Sequence, residues 1–326
     1  MKTNSSNILI IGGAGFIGST CSHVLTAKGY NCIVYDNLET GRPEAVTTPI
    51  IIGDIRDKAT LHKTFAENQI DIVIHLAAKI IPSESLIKPK LYFDVNTQGS
   101  INVVEAMAEY GVRNLIFSST AAVYGDHPSP LTEDVKCRPT TPYGQSKKLA
   151  EENLMKWHQR GDINLSVLRF FNAAGAIPES NIGEIHIPEI HVIPKIIRAI
   201  KEQETFCIYG DNHPTTDGTC IRDYIHIKDI AQAHCLLIEK HSAQGMGDIY
   251  NVGTGQGHSV LDVYQEVCRQ MDSTPNYRVE GKRTGDPSVL ITDNSKIKKR
   301  LHWEPTESSL AKIVADAIRW SNRIIF

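Results

Sequence analysis

The stretch from Asn7 to Asp36 constrains this chain most. Asn7-Ile8-Leu9-Ile10-Ile11 is a short, almost wholly apolar run, the pattern of a parallel strand buried on both faces. It enters Gly12-Gly13-Ala14-Gly15-Phe16-Ile17-Gly18 directly, a G-x-x-G-x-x-G turn, and helical apolar spacing follows from Phe16 to Ala27. A second strand, Asn31-Cys32-Ile33-Val34-Tyr35, ends at Asp36, 24 residues after Gly12. In such a unit the first glycine permits the tight turn, the second lets backbone approach a pyrophosphate, and the third lets the helix pack closely on the strand. The Asp36 carboxylate accepts from the 2′ and 3′ hydroxyls of a ribose and repels a 2′-phosphate, so NAD is expected rather than NADP.

Further strands end where an open α/β sheet gathers its ligands. Ile50-Ile51-Ile52-Gly53-Asp54-Ile55 brings an acid to a third strand end, where an adenine would lie. Asp71 to Ala78 ends a fourth in Leu76-Ala77-Ala78, small enough for close backbone approach, and Asn114 to Thr120 ends a fifth in hydroxyls, Ser118-Ser119-Thr120. The carboxyl ends of such strands line one crevice, so the expected fold is α/β, a Rossmann-type doubly wound parallel sheet. His75 reads as a structural residue, because no carboxylate partner lies nearby in sequence.

Downstream, Tyr143-Gly144-Gln145-Ser146-Lys147 sets a phenol and an ammonium four residues apart, on one face of a helix. A free tyrosine titrates near ~10, and a neighbouring positive charge favours the phenolate, which suits proton transfer with an alcohol. By itself the pair is also the ordinary pattern of a partly buried ring beside a solvated amine.

Together these motifs resemble the extended short-chain dehydrogenase/reductase family, and within it the UDP-glucose 4-epimerase (UDP-galactose 4-epimerase) family, essentially end to end. The more specific matches are Ser118-Ser119-Thr120-Ala121-Ala122-Val123-Tyr124-Gly125, Arg169-Phe170-Phe171-Asn172, Gly218 to His226, and Arg283-Thr284-Gly285-Asp286-Pro287. The resemblance implies interconversion of UDP-glucose and UDP-galactose through a 4-keto sugar and enzyme-bound NADH. Tyr143 would take the C4 hydroxyl proton, Thr120 would hydrogen-bond the reacting oxygen, and Lys147 would bind the nicotinamide ribose and, with the nicotinium charge, depress the Tyr143 pKa. The implied cofactor contacts are Gly12, Gly15, Phe16, Ile17, Gly18, Asp36, Asn37, Thr40, Gly41, Asp54, Ile55, Leu76, Ala77, Ala78, Asn96, Ser118, Tyr143, Lys147 and Phe170.

On the sugar-nucleotide side, Arg offers a fixed fork of donors to phosphate oxygens, which makes Arg222 and Arg283 the expected pyrophosphate clamps. A surface salt bridge is the bland alternative for each. Asp286, Asn172 and Tyr224 supply groups for hydroxyls. Cys207 and Tyr209 alternate along a strand and so share one side, where the family packs uracil. His191 stands where relatives carry an asparagine near the phosphates. Leu290 aligns where side-chain size governs admission of an N-acetyl group, which keeps UDP-N-acetylglucosamine open as a substrate; UDP-glucuronate is the other alternative. Phe170 replaces a tyrosine of some relatives, and Lys79 falls one place before the position, Ile80, where some carry a lysine. Ala121-Ala122 after Thr120 disfavours dehydration, which needs an acid and base there. A non-catalytic NAD-binding scaffold is a further class, since fold alone does not establish activity.

With 326 residues, 41% hydrophobic, the chain can bury a large core, and two lobes are expected: residues 1–172 for NAD, with 223–240 packing back onto them, and 173–326 mainly for the nucleotide sugar. A formal net charge of −3 offers nothing to nucleic acid or an anionic membrane. Seven cysteines without C-x-x-C read as reduced residues of a cytoplasmic protein, and the apolar run at Ile8 is too short to span a bilayer. The thirteen histidines form no H-x-x-x-H pair, so no metal is expected. Helices near Asn96 to Glu109 and Gln145 to Gln159 match the pair through which the family forms homodimers; their apolar faces could instead pack on the sheet.

Overall fold

The computed structural model describes residues 6–244, 247–283 and 285–323, so Thr284 lies outside the described residues. The chain forms two compact units, Met1–Gly125 with Lys136–Arg169 and Ala231–Tyr250, and Asp126–Val135 with Phe170–Ile230 and Asn251–Phe326.

A seven-stranded sheet organises the first unit. Its strands run in the order Asp248–Val252, Asn164–Phe170, Asn114–Thr120, Ile72–His75, Asn7–Ile11, Asn31–Asp36, Ile50–Ile52. Asn7–Ile11 pairs in parallel with both neighbours, Leu9 opposite Ile33 on one side and Val73 on the other. The parallel pairing continues outward to Ile50–Ile52 and to Asn114–Thr120. The strand order therefore reverses at Asn7–Ile11, the point where an open α/β sheet leaves a crevice beyond its strand ends. Both faces of the sheet are covered, which is why these strands read as continuous apolar runs. Leu9, Ile11, Val73, Leu115 and Phe117 pack with Val103, Val104, Met107, Ala150 and Leu154 in one cluster. The apolar faces of the helices Ser100–Glu109 and Pro142–Gln159 thus join the sheet core.

The second unit has its own core, where the helices Val192–Glu202, Val260–Met271 and Leu310–Ser321 meet through Ile193, Ile196, Val263, Val267, Ile313 and Val314. Ile221–Arg222 lies between His258–Ser259 and Val289–Leu290, and Phe206–Tyr209 pairs in parallel with Tyr277–Glu280.

The boundaries differ in detail from those expected at 172/173 and for 223–240. The chain leaves the first unit at Phe170, and of 223–240 the part from Ala231 belongs to that unit, where His234 Nδ1 lies 3.6 Å from Cys21 Sγ. Asp126–Val135 belongs to the second because Leu131 is tied by backbone hydrogen bonds to Ile291 and Asp293.

Candidate active site

The glycine turn is shaped by close contacts. Gly12 has φ +79°, and a Cβ there would lie 2.4 Å from the Ala77 nitrogen, because Leu76 and Ala77 both donate to the Ile11 carbonyl and bring the fourth strand end against the turn. A Cβ on Gly18 would lie 2.2 Å from the Gly12 carbonyl oxygen, so close helix packing requires glycine there. The helix Phe16–Ala27 starts at Gly15 with no side-chain cap and no acid in its first turn. Its free N–H groups and positive dipole end are suited to a pyrophosphate.

Asp36 is buried, and its carboxylate accepts from Ala14 N–H at 3.0 Å and Leu38 N–H at 2.9 Å. Burial pushes its pKa up, against the two backbone donors. Asp36 thus also holds the glycine turn, a role its sequence position does not reveal. Gly41 packs on it: a Cβ would lie 2.7 Å from Asp36 Oδ1. Asn37 and Thr40 are exposed on the same loop. Asn37 Nδ2 donates to Asp54 Oδ2 at 3.0 Å, and Arg56 grips both Asp54 oxygens at 2.9 and 2.7 Å, holding that carboxyl well below the usual range. Ile55 is buried, and its carbonyl accepts from Asn102.

Asn96 is buried in a π-helical turn, Phe93–Gly99, with its amide fully engaged. Oδ1 accepts from Lys79 N–H at 2.8 Å, while Nδ2 donates to the Lys79 carbonyl at 2.9 Å and to Ser146 Oγ at 3.0 Å. It ties the strand end beyond Ala78 to the Tyr143–Lys147 helix. Lys79 itself pairs with Glu39. His75 is buried with its Nε2 2.9 Å from Ser100 Oγ, and burial and then Lys147 push it down to about 3, a neutral structural imidazole.

Thr141 starts the 142–159 helix, its Oγ1 accepting Gly144 N–H at 3.2 Å, with Pro142 in the first turn. Gly144 lets this end approach the turn after Thr120: a Cβ would lie 2.5 Å from the Ala122 carbonyl oxygen. Thr120 Oγ1 accepts Ala122 N–H at 3.1 Å, and the Thr120 hydroxyl hydrogen-bonds the Tyr143 phenol. Ser118 is buried on the same strand end.

Burial raises the Tyr143 pKa, and the Thr120 hydrogen bond opposes it. Lys147 is 2% exposed, and burial pushes it down to about 7 against Glu151, which raises it.

In the second unit, Arg222 is buried, pairs with Asp286 and donates from Nη1 to the Ile221 carbonyl at 2.7 Å. Leu290, half-buried, lies opposite Arg222 in the strand register. Asn172 pairs with Tyr224, which is buried. Cys207 and Tyr209 are half-buried between buried Phe206 and Ile208, so they share one face, and the exposed Arg283 sets its guanidinium 3.8 Å from the Tyr209 ring centroid. Phe170 is buried. His191 turns Nδ1 to Glu184. Sequence reasoning missed the grouping of His191 with Glu184, His186 and Glu189, although the E-x-H-x-x-E-x-H spacing carries it.

A model of the NAD dependent epimerase/dehydratase family matches residues 8–253. The chain belongs to that family. Among relatives in the family, the UDP-glucose 4-epimerase of Halalkalibacterium halodurans is 41% identical, covering 96% of this chain and 95% of its own. That of Lacticaseibacillus casei is 39% identical, covering 96% of each. A crystal structure of UDP-glucose 4-epimerase from Bifidobacterium longum in complex with NAD+ and UDP superposes with a TM-score of 0.92 at 33% identity, covering 98% of each chain.

Proposed function

We propose that this chain is an NAD-dependent isomerase, a UDP-glucose 4-epimerase that interconverts UDP-glucose and UDP-galactose. The observation that carries the chemistry is the Tyr143 phenol, hydrogen-bonded to Thr120, with Lys147 buried one helical turn on. The curated relatives near 40% identity over almost the whole chain supply the substrate.

The glycine turn, the uncapped helix start, Asp36 and the strand end at Leu76 to Ala78 would hold NAD. When bound, NAD would supply a reversible hydride acceptor for the sugar C4. Tyr143 takes the C4 hydroxyl proton as the keto sugar forms and gives it back as the alcohol is restored. Thr120, whose oxygen already accepts Ala122 N–H, turns its O–H toward the phenol and stabilises the phenolate. Lys147 would hold the nicotinamide ribose. Arg222 and Arg283 would bind the UDP diphosphate, Tyr209 and Cys207 the uracil, and Asn172, Tyr224 and Asp286 sugar hydroxyls.

Purified protein incubated with UDP-galactose, without added NAD, should yield UDP-glucose on chromatography, and Tyr143→Phe should not. No conversion of UDP-galactose, UDP-N-acetylgalactosamine or UDP-galacturonate, even with NAD supplied, sinks the reading. The size of Leu290 leaves the N-acetylated sugar open as an alternative, and its turnover in the same assay would extend the specificity.

A cytoplasmic enzyme of galactose metabolism, working as a homodimer, completes the reading. Among the described residues no helix is long and apolar enough to cross a membrane. Leu149 and Tyr110 remain exposed at the 142–159 and 100–109 helices, which supports a contact there. Light scattering on the eluted peak gives the mass that decides between dimer and monomer.

A further inference from the structure

The loop between the strand Ile182–Gly183 and the helix Val192–Glu202 gathers two carboxylates and two imidazoles. Glu184 Oε1 lies 3.1 Å from His186 Nδ1 and also pairs with His191 Nδ1. Glu189 Oε1 lies 3.9 Å from His191 Nδ1 and 4.0 Å from His186 Nδ1, and one donor atom from each of the four lies within 4.8 Å of the others. The Glu184 side chain is only 7% exposed. Glu184 Oε1, His186 Nδ1 and His191 Nδ1 are shielded from solvent and face one another. A buried carboxylate oxygen and two imidazole nitrogens converging on one point are the donor types that ligate a transition-metal ion.

We infer that Glu184, His186, Glu189 and His191 form a binding site for a divalent transition-metal ion of the Zn²⁺ class. The two carboxylates supply the negative charge that a divalent cation cancels, and the imidazoles would ligate it once deprotonated. The mixed nitrogen and oxygen donors select Zn²⁺ or Co²⁺ over Mg²⁺ or Ca²⁺, which take oxygen alone. Tetrahedral bonds of about 2.0–2.1 Å hold ligand atoms roughly 3.3 Å apart, so the 3.1, 3.9 and 4.0 Å separations need little movement. The Glu184–His191 contact opens to admit the ion.

The backbone holds the donors in place. The Glu184 carbonyl accepts from Trp320 Nε1 at 3.0 Å, and Gly183 packs on the same indole, where a Cβ would come within 2.4 Å. Glu189 Oε1 accepts from Ile190 N–H at 2.7 Å and His191 N–H at 2.9 Å, which fixes the carboxylate at the start of the 192–202 helix. The ion would clamp this loop to that helix start. It takes no part in hydride or proton transfer, and the inference stands independently of the epimerase reading.

The test uses metal-depleted full-length protein titrated with Co²⁺ and Zn²⁺, alongside Glu184→Gln and His186→Ala. We expect one Co²⁺ per chain with visible absorption bands of tetrahedral coordination, displaced by Zn²⁺, and binding weakened at least about tenfold in either variant. Zn²⁺ should raise the melting temperature of the wild type and not of the variants. Should a variant fail to fold, the wild type still decides: one equivalent of Zn²⁺ must protect His186 and His191 from diethyl pyrocarbonate, mapped by mass spectrometry. No saturable binding, binding retained in both folded variants, or no protection would overturn the site and leave a carboxylate–imidazolium cluster.

Discussion

The Lys147 ammonium lies 4.2 Å from the centroid of the Phe117 ring, inside the sheet core rather than in solvent. A ring face attracts a cation but does not replace water, so burial pushes Lys147 down to about 7, with Glu151 opposing. A lysine depressed in the folded state binds fewer protons there than when unfolded, so stability rises with pH from about 7 toward 10.

Lys147→Met should therefore abolish epimerisation yet stabilise the cofactor-free protein. The gain should be on the order of 2 kcal/mol at pH 7 and below, shrinking as pH rises toward 10. Melting curves across pH check this; a variant less stable than wild type at pH 7 refutes it.

Thr120→Val removes the hydrogen bond that holds the Tyr143 pKa down against burial. The phenol then ionises still higher, so the phenolate fraction at neutral pH falls. We expect kcat to drop about 10²-fold with little change in KM, and the rising limb of the pH–rate profile to move to higher pH.

Gly18→Ala places a methyl group 2.2 Å from the Gly12 carbonyl oxygen, a backbone atom that cannot step aside. The expected result is a loss of about 2 kcal/mol or more and purified protein that retains little NAD, read from melting curves and from cofactor released on denaturation.

Glu151 and Arg169 form a buried two-point pair at 3.1 and 2.7 Å, with Arg169 Nη1 also donating to Tyr124 Oη at 2.9 Å. Glu151→Ala should cost about 3–5 kcal/mol because Arg169 is left buried and uncompensated, whereas Glu151→Leu with Arg169→Met should cost much less. Chemical denaturation of the three proteins measures the difference.

The sequence by itself determined the elements and much of their chemistry. Apolar runs such as Asn7–Ile11, bounded by a glycine turn, read as strands buried on both faces, and periods of four and two put Tyr143 and Lys147, and Cys207 and Tyr209, on shared faces. These are local properties, written in neighbouring residues. Only the tertiary structure decided that Asn96 ties Lys79 to Ser146, that Asp36 holds the glycine turn, that Arg222 meets Asp286, and that Glu184, His186, Glu189 and His191 converge. It likewise decided the upward shift of Tyr143. Long-range pairing and desolvation depend on which distant atoms exclude water, and no local pattern encodes that.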